Sequence, residues 1–169
     1  MCGMIAQEFA IRHAERVQGL VLGCTGCGPA HSVPAPPETM AKLGQMKGLP
    51  AEERVRAYWS LTVTPAFMES GSAFLEEMIQ MALAAPEELA RLQATMALQF
   101  GAITSFTSYD RLGEVKAPTL VIHGDSDTLV PAANGEMIHE KITGSSMHII
   151  QGAGHCFFWE KPEESARAV

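Results

Sequence analysis

The chain has 169 residues, of which 47% are hydrophobic and 18% are charged, with a formal net charge of -7. These values predict one globular domain, or part of a larger one, and exclude a disordered chain. The negative charge argues against nucleic acid or an anionic membrane surface as partner. Without a signal-peptide pattern or an apolar run near the roughly 20 residues of a membrane span, we expect a cytoplasmic protein.

The chain is predicted to begin with a helix and a strand. Apolar residues recur at helical spacing from Met4 to Ala10, which predicts a helix over about 2–13. An apolar run follows it and predicts a buried strand near 17–22. Because the helix has no capping residue or loop before it, we expect this sequence to be cut from a longer protein.

Cys24 and Cys27 follow this strand at C-x-x-C spacing, which occurs in redox pairs and zinc sites. The sequence has no second C-x-x-C and no closely spaced histidine pair, and Gly28-Pro29 prevents the helix that usually carries a redox motif. We therefore expect the four cysteines to be reduced, structural thiols, and we expect no metal or organic cofactor.

Residues 38–104 show no strand pattern, and prolines near helix starts recur along them, as at Pro50, Thr64-Pro65 and Pro86. This predicts a helical insertion of about 65 residues between two strands. Its methionines either line an adaptable apolar pocket or fill gaps between helices. They are Met40, Met46, Met68, Met78, Met81 and Met96.

Two short stretches near the C-terminal end carry the candidate chemistry. Each is an apolar run, predicted as a strand over 119–123 or 146–150, that stops at glycine and then presents an ionisable side chain. The side chain is Asp127 in the first stretch and His155 in the second, with room for one helix over about 132–143 between them. This order is what an acid needs to hold a general-base histidine.

Other roles for these residues stay open at this stage. Asp127 is alternatively a cap for the following helix, and Asp125 is the alternative acid, although its place nearer the glycine favours a turn-stabilising role. His155 is alternatively a buried structural histidine. His123 and His148 lie on predicted strands, so we expect them to be packed or hydrogen-bonded rather than catalytic.

Together, the two motifs resemble those of the α/β-hydrolase superfamily, and most closely the branch with 3-oxoadipate enol-lactonases, carboxylesterases and cofactor-free haloperoxidases. The resemblance covers the whole chain. It implies an α/β fold that corresponds to the C-terminal part of an α/β-hydrolase, with about three parallel strands, flanking helices and a helical cap. The matching residues are His123, Gly124, Asp125, Asp127, Leu129, Val130, Pro131, Gly152, Gly154, His155, Phe158, Glu160, Pro162 and Glu163.

The same resemblance implies a division of the chain and a place for the nucleophile. Residues 1–29 and 111–169 correspond to a partial core, and residues 30–110 to the cap. Family sequences often contain Ser-Met-Gly-Gly-Met-Ile-Ala-Gln-Glu, whereas this chain begins Met-Cys-Gly-Met-Ile-Ala-Gln-Glu. The nucleophilic serine of the Gly-x-Ser-x-Gly elbow would therefore directly precede Met1, and Cys2 replaces the last elbow glycine.

Residues within the chain are poor substitutes for that serine. Cys2 lies two positions too late on the elbow, and Ser126 lies on the acid turn. In the mechanism that the resemblance implies, Asp127 fixes the tautomer of His155, and His155 is the general base. The backbone N–H of Met1 is then one oxyanion donor.

Two function hypotheses follow from the resemblance. The first is hydrolysis of an ester, lactone or thioester in a small or medium, partly apolar acyl compound. Methionine after the nucleophile suits a serine enzyme, whereas relatives with an aspartate nucleophile commonly have tryptophan there. The chain alone is then expected to have little or no activity. The second is a non-catalytic domain that binds or assembles. In both cases the open edge of strand 17–22 is expected to be covered by self-association or a complementary chain.

Overall fold

The structure, a computed structural model, describes the backbone of residues 1–169 and all side chains except those of Lys47, Gln93 and Ala97. Within this described part, a parallel three-stranded sheet is flanked by helices, which confirms the predicted α/β class. None of the described helices combines the length and the apolar composition that a membrane crossing requires.

The sheet has the order β1-β2-β3, with β1 at Leu20–Gly23, β2 at Thr119–Gly124 and β3 at Ser146–Ile150. The described α-helices of the chain are α1 (Cys2–Arg12), α2 (Pro37–Gln45), α3 (Ala51–Thr62), α4 (Pro65–Ser70), α5 (Ser72–Leu83), α6 (Pro86–Ser105), α7 (Ala133–Lys141), α8 (Phe157–Glu160) and α9 (Pro162–Ala168).

Strand β1 is shorter and less buried than predicted. Residues Ala14–Arg16 form a 3-10 turn, and pairing begins only at Leu20, opposite Thr119. Strand β2 itself begins directly after Pro118, so earlier residues have no strand to pair with. Val21 is 45% exposed, so β1 is buried on one face only and the prediction of a fully buried strand was wrong.

The two faces of the sheet carry separate apolar clusters because side chains alternate along each strand. On one face, Val121 lies in a cluster with Leu22 and with Ile138 of α7. On the other face, Ile122 lies in a cluster with Phe157 of α8. The sheet is thus held between helices, and the strand ends are fixed in place for the loops that follow them.

Helices α2 to α6 lie between β1 and β2 in the chain, as predicted for the helical insertion. Thr64 caps α4 by accepting a hydrogen bond from the Phe67 N–H at 3.3 Å, and Pro65 occupies the first helical position. The insertion has its own apolar cluster around Trp59, and Cys156, from the segment after β3, is part of it. The division into a core (1–29 and 111–169) and a cap (30–110) stays a prediction.

A buried polar side chain ties α1 to two other segments. Gln7, which is inaccessible to solvent, donates to the Gly26 carbonyl at 3.2 Å and accepts from the Ser108 hydroxyl at 2.6 Å. Ser108 is also buried, and its N–H donates to the Cys27 carbonyl at 2.9 Å. Removal of Gln7 takes one hydrogen bond from each of these two buried partners, which is costly in a dry interior.

Gln7→Ala is therefore expected to lower the free energy of unfolding by about 2–3 kcal/mol. Gln18→Ala, at an exposed glutamine, is the matched control and should change it by less than about 0.5 kcal/mol. Urea titration followed by circular dichroism measures both values. Equal effects of the two substitutions would contradict the assigned role of Gln7.

The outer side of β1 presents apolar surface. Among the described residues, strand β1 pairs only with β2, and its Val21 is 45% exposed. On the opposite face of the strand, Ile5 and Phe9 of α1 lie close to Leu20 and are 60% and 40% exposed. An unpaired edge beside apolar side chains favours association with another chain. We propose that self-association or a complementary chain covers this edge.

Sedimentation equilibrium is expected to show a self-associated species, or a complex when a complementary chain is present. Val21→Lys and Ile5→Lys, which place charges beside the edge, should shift the equilibrium toward monomer. A monodisperse wild-type monomer that melts cooperatively in calorimetry would contradict this proposal.

Candidate active site

The segments that follow β2 and β3 approach each other closely at the carboxyl edge of the sheet. Gly124, the last residue of β2, pairs with Ile150, the last residue of β3. A Cβ atom on Gly124 would lie 2.1 Å from the Ala153 carbonyl oxygen, so the approach requires glycine. The Ser126 N–H then donates to that carbonyl at 3.0 Å. The two segments are thereby joined before either candidate side chain is reached.

Asp127 and His155 are brought together at this edge. His155 Nδ1 lies 2.8 Å from Asp127 Oδ2, and because a carboxylate only accepts, the imidazole donates from Nδ1. This tautomer leaves Nε2 as an acceptor. The Asp127 side chain is fully buried, whereas that of His155 is 26% exposed. An oriented imidazole with solvent access is thus available for proton transfer.

Asp127 combines the two roles that the sequence leaves open. Its Oδ1 accepts hydrogen bonds from the N–H groups of Leu129 and Val130, each at 2.9 Å, and so fixes the turn before α7. Its Oδ2 holds His155. The three donors compensate the burial of a carboxylate that would otherwise be costly.

Asp125, the alternative acid, has a different set of partners. Its Oδ1 accepts from the Gly152 N–H at 2.8 Å and from the Ser126 hydroxyl at 2.9 Å. These contacts link the turn after β2 to the turn after β3, in keeping with the turn-stabilising role favoured for Asp125. Ser126, whose hydroxyl is engaged by Asp125, is exposed on the same turn.

Glu160 connects the histidine segment to the helical insertion. Its Oε1 accepts from the Gly154 N–H at 2.7 Å, and its Oε2 accepts from the N–H and hydroxyl of Thr64 at 3.0 and 2.5 Å. The Cys156 N–H donates to the Thr62 carbonyl at 2.8 Å beside it. The sequence marks Glu160 only as a motif match, because its partners lie 6 and 96 residues away.

Cys24 is the site residue that sequence analysis missed. One ligand atom each of Cys24, Asp127 and His155 lie within 4.8 Å of one another. Burial, and secondarily the Asp127 carboxylate, raise the pKa of the Cys24 thiol. The sequence could have indicated this role, because Cys24 directly follows β1 and the carboxyl ends of parallel strands meet at the edge that also holds Asp127 and His155.

The C-x-x-C pair does not converge. Cys24 and Cys27 are both free, buried thiols, but Cys24 packs with Ile122 on one face of the sheet and Cys27 packs with Leu22 on the other. Burial also raises the pKa of Cys27. This supports the structural interpretation of Cys27, whereas Cys24 belongs to the site.

His123 is packed within the sheet and hydrogen-bonded, as predicted. The fully buried His123 accepts at Nε2 from the Thr25 N–H at 3.0 Å, and its Nδ1 has no hydrogen-bond partner among the described residues. Burial lowers the pKa of His123 from its ordinary value of 6.5 to about 4. His148 lies on β3, with Nε2 3.4 Å from the Glu164 carboxylate.

The start of α1 lies beside the same strand edge. A Cβ atom on Gly3 would be 2.6 Å from the Thr25 side chain, so the first turn of α1 packs on the residue after Cys24. Met1 is 38% exposed, and its carbonyl accepts from the N–H groups of Met4 and Ile5. The oxyanion-donor role of the Met1 N–H stays a prediction.

The titration of His123 makes stability depend on pH. The unfolded chain protonates this histidine near pH 6.5, but the folded chain only near pH 4, so acidification across that window favours unfolding. His123 is expected to account for a loss of about 3 kcal/mol in the free energy of unfolding from pH 7 to pH 4.

His123→Gln keeps an acceptor for the Thr25 N–H but does not titrate, so its stability should fall less over this range. Denaturant titrations of both proteins at several pH values measure the difference. Parallel pH profiles for wild type and variant would refute the assignment.

The chain is similar to known hydrolases in sequence. A family model described as "alpha/beta hydrolase fold" matches residues 1–162. A curated relative, the 2-hydroxy-6-oxo-6-phenylhexa-2,4-dienoate hydrolase of Comamonas testosteroni, is 31% identical over 172 residues, which cover 99% of this chain and 58% of that protein.

Solved structures give a similar picture. An esterase from Thermogutta terrifontis, with malate bound, superimposes with a TM-score of 0.69 at 27% identity over 98% of this chain and 59% of its own. The enol-lactonase from Burkholderia xenovorans LB400 superimposes with a TM-score of 0.76 at 19% identity, over 98% and 59%, which shows a shared fold. This chain thus spans 58–59% of the length of these three proteins.

Proposed function

The chain belongs to the α/β-hydrolase family, as its motifs predict, and we propose that it supplies the acid and base of a hydrolase. The observation that carries this proposal is the 2.8 Å hydrogen bond between His155 Nδ1 and Asp127 Oδ2 at the carboxyl edge of the sheet. The buried acid orients the partly exposed imidazole, so that Nε2 is free to accept a proton from a nucleophile.

In the proposed mechanism, a serine directly before Met1 in the longer protein attacks the substrate carbonyl. His155 takes the serine proton and later donates it to the leaving group, while Asp127 stabilises the imidazolium. The Met1 N–H is one donor to the oxyanion. The packing of Gly3 against Thr25 supports this arrangement, because it brings the start of α1 to the strand edge that holds the pair.

For the substrate, we propose an ester, lactone or thioester of a small or medium, partly apolar acyl group. The similarity to the Thermogutta terrifontis esterase supports ester hydrolysis. The bound acyl group would be covered by the helical insertion, to which Glu160 and Cys156 connect the histidine segment.

A second candidate is hydrolysis of a carbon–carbon bond. The relative from Comamonas testosteroni is named for a 2-hydroxy-6-oxo-6-phenylhexa-2,4-dienoate, a compound that contains a ketone and a carboxylate but no ester or lactone. Its hydrolysis therefore breaks a carbon–carbon bond next to the ketone. The same acid–base pair suits both reactions, since each requires attack on a carbonyl and proton transfer to a leaving group.

The codons upstream of Met1 give the first check, because the proposal requires a serine codon directly before it. We then expect the protein that includes this Gly-x-Ser segment to hydrolyse p-nitrophenyl esters or the phenyl-substituted dienoate. Replacement of that serine by alanine, and the 169-residue chain alone, should each lower the rate by about 10⁶.

In the serine-containing protein, His155→Ala should lower kcat by about 10⁶ and Asp127→Asn by about 10⁴. Asp125→Asn is the matched control, because asparagine still accepts from the Gly152 N–H, and its rate should stay within about 3-fold. Hydrolysis that persists unchanged in His155→Ala would refute the base. Absence of hydrolysis from the serine-containing protein with both substrate classes would favour a non-catalytic domain.

A further inference from the structure

The carboxyl ends of all three strands contribute one metal-ligating side chain to the same place. Cys24 follows β1, Asp127 follows β2 and His155 follows β3, and their ligand atoms lie within 4.8 Å of one another. We propose that these three residues form a binding site for a thiophilic divalent cation, and that Zn²⁺ is the ion that fits the donors best.

The chemistry of the donors supports zinc over the harder cations. A thiolate sulfur, an imidazole nitrogen and a carboxylate oxygen are all zinc ligands, whereas Mg²⁺ and Ca²⁺ prefer oxygen alone. Two anionic donors and one neutral imidazole also balance the charge of a divalent ion. With three protein ligands, a tetrahedral zinc ion has a fourth position that is open to water or another exchangeable ligand.

The distances require only small movements. Zinc binds sulfur at about 2.3 Å and nitrogen or oxygen at about 2.0–2.2 Å, so tetrahedral donors lie roughly 3.5 Å apart. His155 Nδ1 and Asp127 Oδ2 are 2.8 Å apart and must separate slightly, while the Cys24 sulfur must approach by up to about 1.3 Å. The partly exposed His155 side chain provides the route from solvent.

The backbone conformation of Cys24 is unusual for a residue with a side chain. Cys24 has φ +43°, and it is the one described residue other than glycine with a positive φ. That conformation is strained for a residue with a Cβ, and it favours glycine or asparagine. Here it carries a buried thiol beside the acid and the base. Such outliers persist at sites where the side chain is needed.

Binding of the cation is a balanced exchange with protons. The thiol proton leaves to solvent as the sulfur becomes a thiolate ligand, and the cation replaces the proton that the buried group otherwise keeps. The imidazole binds in its neutral form through one ring nitrogen and keeps its proton on the other. The acid and base are then occupied, so zinc inhibits hydrolysis; this consequence, unlike the site itself, rests on the proposed function.

Cobalt(II) is the spectroscopic probe for the test, because a thiolate ligand gives a charge-transfer band in the near ultraviolet. The exposed Cys2 is first replaced in a Cys2→Ser background to remove an unrelated thiol. In that background, one equivalent of Co²⁺ should produce the band, and Zn²⁺ should abolish it by displacement.

Cys24→Ser should remove the band and weaken Zn²⁺ binding, measured by calorimetry, by about 100-fold or more. Cys27→Ser is the matched control, because this buried thiol lies on the other face of the sheet, and it should keep the band and the affinity. His155→Ala, at a partly exposed position, should also weaken binding, and it serves as the test if Cys24→Ser does not fold.

The proposal is overturned if no band appears, if the band survives in Cys24→Ser, if it is lost in Cys27→Ser, or if His155→Ala binds Zn²⁺ with unchanged affinity. None of these measurements uses hydrolysis. Failure of the metal site is therefore distinguishable from failure of the proposed enzyme activity.

Discussion

The candidate site depends on the close approach of the backbone after β2 to the backbone after β3. Gly124 permits it, since any Cβ at this position would overlap the Ala153 carbonyl. Once the two segments are in contact, the Ser126 N–H and the Asp125 carboxylate join them by hydrogen bonds. Asp127 and His155 then lie within hydrogen-bond distance, 2.8 Å, which the pairing of parallel strands alone does not ensure. The hydrogen bond between acid and base is thus a consequence of backbone packing more than of side-chain attraction.

The histidine segment has a second anchor, which lies outside the sheet. Glu160 binds the Gly154 N–H with one carboxylate oxygen and Thr64 with the other, and the Cys156 N–H binds the Thr62 carbonyl. The base is therefore held between the sheet and the C-terminal end of α3. These contacts involve backbone groups on both sides, so the helical insertion and the segment that carries His155 are joined directly.

Burial affects the ionisable groups around the site in different ways. It lowers the pKa of His123 and raises the pKa of Cys24, so both groups are held uncharged near neutral pH. Asp127 is equally inaccessible, but three hydrogen-bond donors compensate its burial. The result is a fixed carboxylate within an otherwise neutral interior, with a single partly exposed imidazole as its partner. A divalent cation that displaces the thiol proton exploits the same carboxylate.

Much of this organisation is determined by local sequence alone. The apolar runs that end in glycine predict β2 and β3, the prolines predict the starts of α3, α4 and α6, and the two motifs predict Asp127 and His155. These patterns work because strand, turn and helix-start preferences depend on residues that are neighbours in the chain. Contacts between residues that are distant in the chain were decided only by the tertiary structure. The late start of β1 follows from its pairing with Thr119. The role of Glu160 depends on its hydrogen bond to Thr64, 96 residues away. Cys24 lies beside Asp127 and His155 because the sheet register joins segments about 100 residues apart. The separate roles of Asp125 and Asp127 likewise depend on the segment after β3. The two aspartates lie on the same turn, but Asp125 binds the Gly152 N–H and Asp127 binds the His155 imidazole.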